Sequence, residues 1–191
     1  MGKSLHLLIL LITLSLLSTQ VAAKWGKSEL MALLATAKNG EQRYTETKEL
    51  AFLDIPVVTQ GRLSFTPPDQ MVKQVESPNP SRYEIDGNTI TISSPGAERH
   101  VINMASHPQL HLFINTLKAV LSGDLRSLEK HYAIQLTGDR NHWQLQLTPL
   151  DNSLAKMIKS LTISGQKQTI KQMVTEENSG DRTTLTFHGN G

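Results

Sequence analysis

Apolar and polar positions alternate along this chain with two periods, and each change of period marks an element. From Ser28 the sequence reads Ser-Glu-Leu-Met-Ala-Leu-Leu-Ala-Thr-Ala-Lys-Asn-Gly. Leu30, Leu33, Leu34 and Ala37 fall at helical spacing and Asn39-Gly40 supplies a stop, which predicts an amphipathic helix of about three turns. From residue 43 to 104 the helical period disappears. Gly61, Leu63 and Phe65 alternate with Arg62 and Ser64, Tyr83 pairs with Ile85, and Ile90 and Ile92 sit between threonines. Asp86-Gly87-Asn88 is a hairpin signal between the last two runs. One apolar and one wet face per strand describes an antiparallel sheet covered on one side.

Helical spacing returns at Leu110, Phe113, Ile114, Leu117 and Leu121. Ser106-His107-Pro108-Gln109 before them has the form of a capping box with proline in the first turn. Ser122-Gly123-Asp124 ends that helix. Strands then resume: Tyr132, Ile134 and Leu136; a turn at Gly138-Asp139-Arg140-Asn141; Trp143, Leu145 and Leu147 against Gln144 and Gln146. Ser153 to Lys159 suits one or two helical turns before Leu161 and Ile163. Gln166-Lys167-Gln168 turns into a strand at Ile170 to Thr175, and Gly180-Asp181 into a last one with Leu185 and Phe187. The pattern sums to an α+β fold of about eight strands in meander order: a strongly curved antiparallel sheet, or half-open barrel, with a helical lid across its concave apolar face.

The first 23 residues read as an address. Lys3 precedes a mostly apolar run from Leu5 to Leu17, and Val21-Ala22-Ala23 suits signal peptidase, so cleavage is expected after Ala23. The run is shorter than the roughly 20 residues that span a bilayer. Lys24 follows where a lipid-anchored protein would need cysteine. The expected mature chain, residues 24–191, is therefore a single soluble domain released after export.

Composition then removes several classes of activity. The 191 residues contain no cysteine, which excludes thiol catalysis, disulfides and Cys-ligated zinc. Without Lys3 the chain carries 18 basic against 17 acidic residues, far from the excess of a nucleic-acid binder. His107 and His111 are four apart on the second helix, but the intervening Pro-Gln-Leu lacks the Glu of a zinc-protease motif and no third ligand clusters with them. They read as helix-surface histidines, with no metal and no cofactor. No serine has the Gly-x-Ser-x-Gly setting, Glu176-Glu177 lies in a charged stretch, and no glycine-rich phosphate loop exists. The chain is read as not an enzyme.

What remains is the apolar layer between sheet and lid. Its candidate ligand-binding residues are Leu63, Phe65, Ile90, Ile92, Trp143, Leu145 and Leu147 from strands, with Leu30, Leu34, Phe113 and Leu117 from helices. Periodicity cannot separate a cavity for an apolar ligand from a solid core. The alternatives are a carrier, a protein-interaction or assembly module with a solid core, and a secreted hydrolase, in that order.

The order of helix, strand, Gly61-Arg62-Leu63-Ser64-Phe65-Thr66-Pro67-Pro68 and then Tyr83-Glu84-Ile85-Asp86-Gly87-Asn88-Thr89-Ile90 resembles LolA, the periplasmic carriers of outer-membrane lipoproteins of Gram-negative bacteria. Gly61 and Leu63 match the family's Gly-x-Leu strand, Pro68 its end and Asp86-Gly87 its turn. The family usually carries an arginine before that proline, which bonds to the lid; Pro67 stands there instead, so the resemblance implies a divergent member. It further implies a cargo of lipoprotein acyl chains or another lipid-linked product, moved toward the outer membrane. Its implied partners are an inner-membrane releasing complex and an outer-membrane receptor.

Overall fold

The computed structural model describes residues 25–37 and 40–189. The leader, the expected cut after Ala23 and Asn39 of the expected helix stop lie outside them.

The described residues form one antiparallel sheet of eleven strands with helices on one face. Helix α1 (Lys27–Ala35) precedes β1 (Glu41–Glu49), β2 (Val57–Thr66), β3 (Gln70–Ser77), β4 (Ser81–Asp86), β5 (Thr89–Ser93) and β6 (His100–Asn103). A 3-10 turn (Met104–Ser106), α2 (Pro108–Ser122) and α3 (Leu125–His131) lead to β7 (Tyr132–Gly138) and β8 (Trp143–Pro149). The one-turn helix α4 (Asn152–Ala155) and strands β9 (Ile158–Gln166), β10 (Thr169–Glu177) and β11 (Arg182–His188) complete the chain.

Strand order is β6-β5-β4-β3-β2-β1-β11-β10-β9-β8-β7. Two meanders are thus joined in the middle, where β1 pairs with β11 along seven residues, Arg43 opposite His188 through Glu49 opposite Arg182. The outer edges, β6 and β7, are consecutive in the chain and do not pair. The segment between them must cross the width of the sheet, which places α2 and α3 over its apolar face.

The α+β class and the curved open sheet agree with the pattern analysis; the strand count is higher. β1 has little alternation to show, because Gln42, Tyr44 and Glu46 share its inner face. An inward Lys73 interrupts β3, and β6 has only four residues. Two helix boundaries also change. Ser106 ends the 3-10 turn, which Asn103 caps by accepting from the Ala105 amide at 2.9 Å; α2 starts behind His107 without a side-chain cap, so the expected capping box does not form. Gly123, at φ 73, stops α2 as expected. Asp124 then caps a further helix, α3, by accepting from the Ser127 amide at 3.1 Å.

The core has two parts. The larger packs Leu145, Leu147, Leu161 and Ile163 against Leu30 and Leu34 of α1, Val120 of α2, Leu128 of α3 and Leu154 of α4. Trp143 closes it: the indole N–H donates to the Lys167 carbonyl at 2.8 Å. Its ring fills the space over Gly165, where a Cβ would stand 2.4 Å from a ring carbon. The smaller part gathers Phe65, Met71, Ile85 and Ile90 under Met104 and Ile114.

Candidate functional site

Between α2 and the concave face lies a cavity of about 480 Å³, within the range of ligand pockets. Leu110, Phe113, Ile114, Leu117 and Leu121 of α2 form its roof. Its floor is set by strand register. Phe65 faces Met71, Met71 faces Ile85 and Ile85 faces Ile90, so these four make one rung across β2 to β5, and all four are buried. Two residues along, Gln42, Leu63, Lys73 and Tyr83 make a parallel rung, and these are half-buried. The Leu63 rung thus borders the hollow more openly than the Phe65 rung, and the exposed members of the wall are Gly40, just before β1, and Gln168, just before β10. β11 and β10 complete the floor with Thr183, Leu185 and Phe187, and with Ile170, Met173 and Thr175; Leu34 and Ala37 approach from α1.

One ion pair interrupts this apolar wall. Lys73 bonds to Glu46, crossing the ring of Tyr44 with its ammonium 5.4 Å from the ring centre. The rung between them makes room, because Gly61 lies opposite Tyr44. A Cβ on Gly61 would sit 1.9 Å from the Gln74 carbonyl oxygen and 3.1 Å from the Tyr44 hydroxyl; β2 and β3 bulge at this point. The Tyr44 hydroxyl is buried and without a hydrogen-bond partner. Burial, with the nearby Glu46 charge adding to it, pushes its pKa up and keeps the phenol protonated.

Six of the eleven candidate residues meet at the cavity: Leu34, Leu63, Phe65, Ile90, Phe113 and Leu117. Leu30, Trp143, Leu145 and Leu147 do not form its wall; they are packed in the larger core, where α1, α3 and α4 cover them. Ile92 packs beside the smaller core, one rung position past Tyr83, and also stands outside the wall. Periodicity told inward from outward, but not which inward positions the helices would cover. Pattern reading did not single out Met71, Lys73, Tyr83, Ile170, Met173, Leu185 and Phe187 as lining residues. Tyr83, Ile170, Leu185 and Phe187 carried the alternation that could have found them, whereas Lys73 carried a contrary signal.

On the other side of α2, Lys118 is buried and donates to the Gly87 carbonyl at 3.2 Å. This bond ties the crossing helix to the β4–β5 turn. His107 and His111 are joined only by a helical backbone bond of 3.0 Å. Among the described residues no group of three His, Cys, Asp or Glu side chains could hold a metal ion, and no helix is long and apolar enough to cross a membrane. The site can enclose an apolar chain, with Gln42, Tyr83, Thr175, Thr183 and the Lys73–Glu46 pair as polar positions in its wall.

Comparison with protein families matches residues 21–190 to the family described as outer membrane lipoprotein carrier protein LolA-like. No curated protein matches the chain. Among solved structures it is similar to a DUF1329 family protein from Desulfovibrio piger, 12% identical, with a TM-score of 0.51 over 85% of this chain and 90% of that one. It is also similar to a LolA superfamily protein from Nitrosomonas europaea, 8% identical, with a TM-score of 0.45 over 87% of this chain and 93% of that one.

Proposed function

Because the chain belongs to the LolA-like family of outer membrane lipoprotein carriers, we propose that it is a periplasmic carrier whose cavity takes up acyl chains of lipoproteins or another lipid-linked cargo. The observation that carries this reading is the hollow itself: about 480 Å³ of space under α2, walled by Phe65, Met71, Ile85, Ile90 and Phe113. Shielding a methylene from water is worth roughly 0.8 kcal/mol, so a chain of about twelve gains on the order of 10 kcal/mol before ordering costs. Residues 24–191 act as one carrier domain, and Leu34, Leu63, Phe65, Ile90, Phe113 and Leu117 touch the cargo. The partners are a releasing complex at the inner membrane and a receptor at the outer membrane. A solid-core assembly module would not need the hollow.

Delipidated protein titrated with a fluorescent fatty acid, with native mass spectrometry of the complex, tests this reading. One bound chain is expected, and Leu63→Trp, which fills the floor of the hollow, should abolish it while the fold is retained. Failure of the unaltered protein to bind, or undiminished binding by Leu63→Trp, would overturn it.

A further inference from the structure

The hairpin tip between β1 and β2 holds its largest side chains in water. Residues 51–58 are exposed without interruption: Phe52 and Ile55 at 79%, Leu53 at 46%, Val57 and Val58 at 44%. Only Val101 and Leu150 are exposed to a similar degree elsewhere among the described residues, so the exposed apolar surface is concentrated in this tip. The tip is also held in place. The Leu53 amide donates to the Leu50 carbonyl at 2.9 Å, and the Ala51 amide donates to the Asp181 carboxylate at 2.9 Å. A contiguous apolar patch fixed in this way marks a contact surface.

Its position relative to the cavity is set by strand register. Lys48 lies opposite Val57 on one side and Thr183 on the other, and Thr183 belongs to the cavity wall. The tip therefore stands beyond the Thr183 end of the hollow, on the far side from Phe65 and Ile90.

We propose that this tip is a membrane-contact element, inserting Phe52, Leu53 and Ile55 into the surface of a zwitterionic bilayer and holding the Thr183 end of the cavity near the lipid. A convex tip with three large side chains cannot supply the roughly 800 Å² per partner of a stable protein interface, whereas shallow insertion into a bilayer needs only a few apolar side chains and is readily reversible. Charge selects the lipid. Glu49, Asp54 and Asp181 lie on the tip or at its base. Of the two nearby cations, Lys48 and Arg182, the latter is within 4.0 Å of Glu49 and 3.6 Å of Glu176. An anionic surface gains nothing from such a rim. Membrane contact is a property separate from cargo binding, and it is measured on cargo-free protein.

Flotation of the mature protein with vesicles of dioleoylphosphatidylcholine tests the proposal. The unaltered chain should float with the vesicles. Phe52→Ser with Ile55→Ser should reduce partitioning by about tenfold or more, leaving thermal unfolding and fatty-acid binding unchanged. Adding dioleoylphosphatidylglycerol should not strengthen it. Absence of flotation, flotation unaffected by the two serines, or stronger binding to anionic vesicles would overturn the proposal. So would a concentration-dependent dimer that the same serines abolish, since the patch would then serve a second copy of the chain.

Discussion

The two ends of the sheet share one architecture and use it differently. On the side of β8 and β9, Leu145, Leu147 and Ile163 have no exposed surface and pack under α1, α3 and α4. On the side of β2 to β4, Leu63, Lys73 and Tyr83 occupy equivalent inward positions and border open space. Alternation and register are alike in both. The difference lies in what covers them: α1, α3 and α4 converge on the first region, while α2, flanked by the 3-10 turn and the end of α1, roofs the second. Full burial of a leucine stabilises by about 1.5–3 kcal/mol, so the packed end can hold the fold while the other end stays hollow.

The largest expected effect comes from breaking the packed end. Leu145→Ala should cost about 2–5 kcal/mol of stability by denaturant unfolding, because the void it leaves is walled on every side; a loss no greater than that of Leu63→Ala would remove the contrast. Gly165→Ala should follow, at roughly 1–3 kcal/mol, since its methyl group would displace the Trp143 ring. Asp124→Ala, which uncaps α3, should cost about 1 kcal/mol, read as a lower thermal midpoint. The smallest stability change, under about 1 kcal/mol, is expected for Leu63→Ala, which enlarges a space that is already open; its fatty-acid affinity should nevertheless fall.

Acid should distinguish the two ends as well. Hydrogen bonds hold three carboxyls below the usual aspartate range: from the Ser127 hydroxyl to Asp124, from the His142 amide to Asp139 and from the Ser153 hydroxyl to Asp151. The folded state therefore binds these protons less readily than the unfolded chain. Their stabilisation is present above the ordinary value of about 3.9 and is lost as pH falls through the lower native values. All three lie at turns and caps of the packed end. Hydrogen exchange below pH 4 should accelerate first in α3 and the β7–β8 turn, ahead of β2 to β5.

Much of the fold was legible because inward positions alternate. The runs at Tyr83 and Ile85, at Ile90 and Ile92, and from Trp143 to Leu147 were placed on the correct face, and the turns at Gly87, Gly138 and Gly180 lie where glycine or its neighbours indicated. The hollow was only partly legible. Leu63 and Leu145 have the same local pattern, and nothing near either one records that α4 covers the second end and not the first. Lys73 was hidden for a different reason: its inward position is tolerable only because Glu46, from another strand, reaches it across Gly61. Helix α3 was missed because Asp124 looked like the end of α2 and is also the cap of the next helix.

The chain order β6, α2, α3, β7 has a mechanical consequence. The crossing segment is fastened at both sheet margins like a string to the tips of a bow, so it cannot swing free as a hinged flap would. The margins themselves share no ladder bonds, and the bow can flex without breaking a strand pair. Its curvature and the room beneath the string therefore change together, and whatever pries the margins apart also sets the volume of the hollow.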